Sequence, residues 1–581
     1  PQLVARVSAL VSRDESTTDS YALLFPSDEP SVGVVAATAL DRRRALGHCG
    51  RSRENGNMKI IGAVWFAACI CAAAGFANPT ATSSESPPVP DGEDDPEFWR
   101  QTGQDSVSRL LSSPVVDAPA KNVIVFVGDG MGISTVTASR IYRAQRDSDQ
   151  PGEEGSLSFE RFPYTALIKT YAVDRQVTDS AASATALFCG AKTKMAMLGL
   201  SPRANVSECD SAAGNELHSF IKRAQDKGMA TGFVTTTRVT HATPAALYAH
   251  AAHRDWEMDS KMPKRTRCKD IARQLVEDEP GKNLNVILGG GLAYFKDKQR
   301  GGGKRSDGLD LVDQWKKDKK NRKFVGSREE LLAIDTNKTE YLLGLFSGDH
   351  MSYELYRQEK QPSLVDMVVT AIEILRRRGD GFALMVEGGR IDHGHHENRA
   401  ALALRETAEL SDAVAAALEL VDLQETLVLV TADHSHSFTL NGYAARGNPI
   451  LGVAGLSEKD GLPYTTLSYA NGPSTTKRRA DANTEALDYQ QVSAVPLRLE
   501  THAGEDVALY AVGPMAHAVH GVLEQHAVSH FLDYAACLGD GARLRSRCLE
   551  QRASAASSLT TRPTFVVATL LALAANLPVL L

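Results

Sequence analysis

The sequence has no surplus of positive charge, no G-x-S-x-G elbow, no P-loop lysine and no internal repeat. Lys and Arg number 64 against 71 Asp and Glu, a formal net charge of −7, so nothing marks the chain as a nucleic-acid binder. Lack of the elbow disfavours an α/β-hydrolase. Gly128, Gly130 and Gly132 follow an apolar run, but they lack the G-x-G-x-x-G order of a nucleotide loop. What is present is an ordinary globular composition, 43% apolar and 23% charged over 581 residues. That length suits several domains or one large α/β unit with insertions.

Both ends depart from this. Met58-Lys59 opens an apolar, Ala- and Cys-rich run from Ile60 to Gly75 that exits through small residues at Gly75 and Ala77. A basic start, a short apolar stretch and a small-residue exit describe a signal peptide at 58–77. Residues 1–57, which begin with Pro1, then read as upstream sequence with no fold of their own. At the other end Ser554-Ala555-Ala556-Ser557 and a polar spacer precede the apolar tail Phe565 to Leu581. This order within 551–581 resembles a lipid-attachment signal whose tail is removed, and it predicts a glycosylphosphatidylinositol anchor on the extracellular face. A single membrane span is disfavoured, because the tail is short and no basic stop follows it.

An exported chain meets an oxidising compartment. Cys49, Cys69 and Cys71 precede the mature protein; Cys209 with Cys268, and Cys537 with Cys548, are candidate local bridges that leave Cys189 free. Sequence does not fix that pairing. Asn205 and Asn337 stand in glycosylation acceptor triplets.

Residues 78–95 are rich in Pro, Ser and acids and read as a flexible lead-in. Pro96 to Leu111 suits one amphipathic helix. Short runs, Val123–Val127, Gly232–Thr235, Asn285–Leu288, Phe382–Val386 and Leu427–Val430, are apolar on both faces, as buried parallel strands are. Between them lie helical stripes, Val368, Ile372 and Leu375, and Ala403, Thr407, Leu410, Val414 and Val421. Strand alternating with helix predicts an α/β fold, a largely parallel central sheet with helices on both faces. Such sheets bind ligands at the carboxyl ends of their strands. Gly442 to Leu499 lacks the pattern and reads as an insertion, so the catalytic domain is expected over 96–441 and 500–550.

Four of the five runs lead into polar motifs. Seven of the sixteen histidines fall in four places: His241; His393, His395 and His396; His434 and His436; and His502. After Phe382–Val386 come Glu387, Asp392 and three histidines, with Asp392 and His396 one helical turn apart. Mixed carboxylate and imidazole donors suit zinc; acids with hydroxyl and water suit magnesium. Thr431 to His436 and Val127 to Gly132 repeat the theme of an acid leaving a strand. Thr178-Asp179-Ser180 opens an Ala-rich run, where propensity alone makes any of the three an N-cap. A helix N-terminus also favours phosphate charge.

These motifs resemble the alkaline phosphatase family, in its animal, lipid-anchored branch, from about Asp95 to Cys548. The resemblance implies that family's sandwich fold and hydrolysis of phosphate monoesters through a phosphoserine on Ser180, with Arg254 clamping the phosphate. It implies one zinc on Asp392, His396 and His502, a second on Asp129, Asp433 and His434, and magnesium on Asp129, Thr243 and Glu387. His241 and His393 match histidines near the metals, and 442–499 resembles the crown of the family's homodimers. A fourth, calcium site of the family is expected to be lost, because Ser347 and Gln361 stand where the family has acids and the loop between Tyr294 and Asp307 is rebuilt. A phosphodiesterase or sulfatase relative could share the sheet and one metal site. A non-catalytic surface protein would require an eroded ligand, and none is eroded.

Overall fold

The computed structural model describes residues 92–539 apart from 149, 319–320, 379 and 475–481, all within one compact unit, Thr80–Leu581. The expected upstream sequence, signal peptide, most of the lead-in, the anchor signal and Cys548 lie outside the described residues.

Seventeen strands run in chain order: β1 Asn122–Gly128, β2 Tyr164–Lys169, β3 Ala230–Arg238, β4 Val286–Gly290, β5 Arg322–Val325, β6 Tyr341–Leu345, β7 Phe382–Gly388 and β8 Thr426–Ala432, then β9 Ser435–His436, β10 Phe438–Leu440, β11 Val453–Leu456, β12 Pro463–Thr465, β13 Leu467–Gly472, β14 Ser493–Pro496, β15 His502–Ala503, β16 Val507–Val512 and β17 Gly521–Glu524. Ten form one sheet in the order β17-β2-β16-β8-β1-β7-β3-β4-β6-β5. Every neighbouring pair is parallel except those of β16, which runs antiparallel to β2 and β8. The expected α/β architecture is therefore the observed one.

The sequence pattern explains the middle of the sheet. Four of the five apolar runs lie within strands, β1, β3, β7 and β8, the fifth begins one residue before β4, and in β7 and β8 every residue is buried. Helices Ile133–Asp147, Leu364–Leu375 and Ala400–Leu420 pack together on one side of the sheet, and Ser180–Cys189, Phe220–Asp226 and Ala527–Ala535 on the other. The stripe Ala403, Thr407, Leu410 and Val414 is buried as expected, and Val421, at the C-cap, packs partly buried against the same core.

Pro96–Leu111 is a helix over the expected bounds, capped by Asp95 onto the Glu97 amide, and none of its residues is buried among the described residues. The glycines after β1 admit protein at close range. A Cβ on Gly130, whose φ is +70°, would come within 2.4 Å of the His436 ring, and one on Gly132 within 2.1 Å of the Ser435 hydroxyl. They let the β1 loop press against the β8 loop.

After β8 the chain leaves the sheet. Strands β10, β13 and β14 make a small sheet and β11 with β12 a hairpin. Phe438, Ile450, Leu451, Leu467 and Tyr469 seat this excursion on Ala138, Ile141, Ala400 and Leu404 of two main helices. The chain returns through β15, which pairs antiparallel with β9 and sets His502 opposite His436. No described helix is long and apolar enough to cross a membrane.

Candidate active site

The carboxyl ends of β1, β7, β8 and β3 lie side by side, and each delivers an acid or histidine. Asp129 follows β1, Glu387 sits near the end of β7, Asp433 and His434 follow β8, and His241 follows β3. Parallel register brings Glu387 level with Val127 of β1 and Thr235 of β3. The helix Arg390–His396 supplies Asp392 and His396, and β15 supplies His502.

Asp392, His396 and His502, the set implied by the resemblance, lie together. Asp392 Oδ1 is 3.3 Å from His396 Nε2 and 3.2 Å from His502 Nε2, and the two Nε2 atoms are 3.2 Å apart. Asp129, Asp433 and His434 form a second group, with His434 Nε2 3.4 Å from Asp129 Oδ1 and 3.3 Å from Asp433 Oδ2. The His434 and His502 rings stack with centres 3.6 Å apart, so the two groups adjoin.

Hydrogen bonding fixes the tautomers. His502 Nδ1 faces the Thr178 carbonyl at 2.9 Å, His396 Nδ1 the Glu500 carbonyl at 2.6 Å, and His434 Nδ1 the Ser435 carbonyl at 3.3 Å. A carbonyl only accepts, so each Nδ1 carries the proton and each Nε2 lone pair points into the site. Backbone carbonyls behind imidazoles are the usual outer partners of metal-ligating histidines.

The third group is richer in oxygen. Both Asp129 carboxylate oxygens, Glu387 Oε1 and the Thr243 hydroxyl are buried without a hydrogen-bond partner, as is His241 Nδ1. Buried polar atoms are seldom left unpaired, and so many in one place fit a hard cation. The electrostatics agree. Burial, with Asp433, Asp392 and Glu387 adding to it, pushes Asp129 well above the carboxylate range. Burial also carries Glu387 up to about 7 and raises Asp433. Asp392 goes the other way: burial opposes its ionisation, but His396, His436 and His502 hold it well below its ordinary value.

Ser180 is the first residue of the helix Ser180–Cys189, and its Oγ lies 3.2 Å from His434 Nε2. The N-cap is Asp179, which sequence reasoning left among three candidates. Its carboxylate accepts from the Ala182 and Ala196 amides and from Arg254 Nη1 at 3.1 Å. One side chain thus fixes both Ser180 and Arg254. Arg254 Nη2 also reaches His241 Nε2 at 3.2 Å.

His241, His350 and His393 make a further cluster, with ring centres 4.4–5.6 Å apart. An arginine meets each ring, Arg254 at His241, Arg238 at His350 and Arg390 at His393, and burial keeps all three imidazoles neutral. His395 is the exception within its motif. It is fully buried between the Thr135 hydroxyl and the Tyr469 hydroxyl and faces away from the site.

Sequence reasoning gave no role to His436 or Glu500. His436 lies between two carboxylates, 2.8 Å from Asp392 Oδ1 and 2.5 Å from Glu500 Oε2. Burial disfavours its charge, yet these acids carry it up to about 10. Elsewhere Cys209 and Cys268 are bonded, Cys189 is a free thiol raised to about 12 by burial, and Cys537 is disulfide-bonded.

A family model described as alkaline phosphatase matches residues 120–538. The tissue-nonspecific alkaline phosphatase of Homo sapiens is 47% identical over 476 residues, 78% of this chain and 90% of that protein. That of Gallus gallus is 46% identical, covering 83% of this chain and 96% of its own length. The solved alkaline phosphatase of Thermus thermophilus superposes with a TM-score of 0.54 at 25% identity, covering 74% of this chain and 94% of that one. A match of this extent sets aside the phosphodiesterase, sulfatase and non-catalytic alternatives, and this chain belongs to the alkaline phosphatase family.

Proposed function

We propose that Ser180 is the nucleophile with which this metal-dependent enzyme hydrolyses phosphate monoesters, and that its cations are two zinc and one magnesium. The observation that carries the reading is the set of three Nε2 lone pairs, on His396, His434 and His502, aimed at buried carboxylates beside the Ser180 hydroxyl. One zinc belongs to Asp392, His396 and His502 and the other to Asp129, Asp433 and His434; the oxygen-rich set Asp129, Thr243 and Glu387 suits magnesium.

When bound, such cations lower the pKa of hydroxyls and stabilise departing oxyanions. The chain's own residues do the rest. Ser180 Oγ attacks phosphorus, its bond forms as the ester oxygen leaves, and water later cleaves the phosphoserine. The helix N-terminus at Ser180 favours the anionic phosphoryl group. Arg254, held by Asp179, presents a rigid fork to two phosphate oxygens, which Lys does not match. His241 and His393 border the site beside Arg254 and Arg390.

Calcium has no place in this reading. Around the positions where the resemblance led us to expect its loss, cationic side chains already neutralise the acids. Asp349 pairs with Arg238 at 2.7 Å and Lys304 at 2.9 Å, and the fully buried Arg305 pairs with Asp270 and Asp307. Glu354 is taken by Arg357 and Arg405, and the Gln361 side-chain oxygen Oε1 by the Ser352 amide.

The same reading makes the mature protein a glycosylated, lipid-anchored homodimer of the cell surface. Asn205 and Asn337 are exposed. The unburied helix Pro96–Leu111 carries Trp99, Val107, Leu110 and Leu111 in the open, and Tyr443, at the start of the crown-like insertion, is fully exposed. These apolar groups offer a second copy something to cover.

The test is acid quenching with a labelled phosphomonoester, together with elemental analysis of the same samples. Label should be trapped on Ser180 and be absent from Ser180→Ala, while both proteins hold two zinc, one magnesium and no stoichiometric calcium. Equal trapping in the variant would sink the nucleophile assignment.

A further inference from the structure

We propose that Glu500 is a positioning residue for the metal centre at Asp392, His396 and His502, acting on two histidines at once. The proposal rests on that ligand set being a zinc site. Glu500 is fully buried, and it stands where the chain returns from the insertion, two residues before His502.

Its backbone holds His396 from both sides. The Glu500 amide donates to the His396 carbonyl at 3.0 Å, and His396 Nδ1 donates to the Glu500 carbonyl at 2.6 Å. Its side chain holds His436. Glu500 Oε2 accepts from His436 Nδ1 at 2.5 Å, and Oε1 accepts from the Ser437 amide at 2.7 Å and the Ser437 hydroxyl at 2.6 Å. With Nδ1 engaged there, His436 Nε2 donates to Asp392 Oδ1 at 2.8 Å. The chain Ser437–Glu500–His436–Asp392 fixes the direction in which the Asp392 carboxylate presents its oxygens. Strands β9 and β15 keep His436 in register with His502, two residues beyond Glu500.

Removing an outer partner of a ligand commonly weakens metal binding about 10–100-fold. Glu500→Ala keeps the backbone bonds to His396 and releases His436. Glu500→Gln keeps the shape and the Ser437 contacts but offers His436 an amide in place of a carboxylate. Zinc retention is measured against a graded chelator, by counting metal on the desalted protein, and kcat and KM are followed as zinc is added back. We expect Glu500→Ala to lose one of two zincs at about 10–100-fold lower chelator than the wild type, Glu500→Gln to fall between, and added zinc to restore kcat with little change in KM. Unchanged retention in both variants overturns the proposal. So does a loss of activity that zinc does not restore, accompanied by a lower melting temperature of the metal-free protein, since that marks a structural role only. If His396→Ala retains both zincs, the ligand assignment itself fails and takes the proposal with it.

Discussion

Glu387 lies at the end of a strand in which every residue is buried, and burial carries it from an ordinary 4.5 up to about 7. Asp129 and Asp433 shift the same way. The sign follows. Between the two values the folded, metal-free chain keeps a proton that the unfolded chain has released, so rising pH favours unfolding. Bound cations replace those protons and remove the dependence. Glu387→Gln removes this one titration, so we expect the metal-stripped wild type to lose melting temperature relative to the metal-stripped variant as pH rises from about 4.5 to 7. Parallel curves would contradict it. At this scale the sequence was legible wherever a residue's chemistry sits in a short motif at a strand end, as with Asp392 and His396. It was not legible for Asp179, His436 and Glu500. Their roles exist only once distant segments meet, Asp179 at Arg254 and His436 at both Asp392 and Glu500.

Among the elements, strands apolar on both faces announced themselves and half-exposed ones did not. β2 alternates buried with open positions, and the edge strands β5 and β17 are short, with most residues partly or fully open. Neither kind carries the continuous apolar run that marked β7 and β8. The helix Ser180–Cys189 was visible as a helix, but the side chain that starts it was not settled until Asp179 was seen to accept from Ala182. One covalent tie was among the candidate bridges and is present in the structure. Cys209 and Cys268 enclose a sequence separation of 59. Chain-entropy reasoning gives a bridge of that span about 4 kcal/mol, with strain and residual structure lowering the realised figure. Replacing both cysteines by Ser should lower the melting temperature of the metal-loaded protein by several degrees and leave kcat nearly unchanged, because neither cysteine belongs to the groups that could hold a metal. A fall in kcat at temperatures well below melting would show that the bridge shapes the site.

For the whole molecule, the small-residue site, spacer and apolar tail at 551–581 predict release from cell membranes by a phosphatidylinositol-specific phospholipase. Intact mass of the released protein should lack Phe565–Leu581, and a retained tail would exclude the lipid anchor. The site is also drawn from nearly the full length of the described chain, since Asp129 leaves the first strand and His502 stands on the fifteenth. Nothing between them is complete without the other. A ribosome that has made every helix and strand through β14 has still made no enzyme, because neither Glu500 nor His502 has been added. Cations that bind only the finished constellation therefore act as inspectors of synthesis. They reward the chain that reached its last ligand and leave every shorter product with buried carboxylates and no counter-charge. Premature stops upstream of His502 should yield no partially active fragments, only chains that a cell recognises as unfinished.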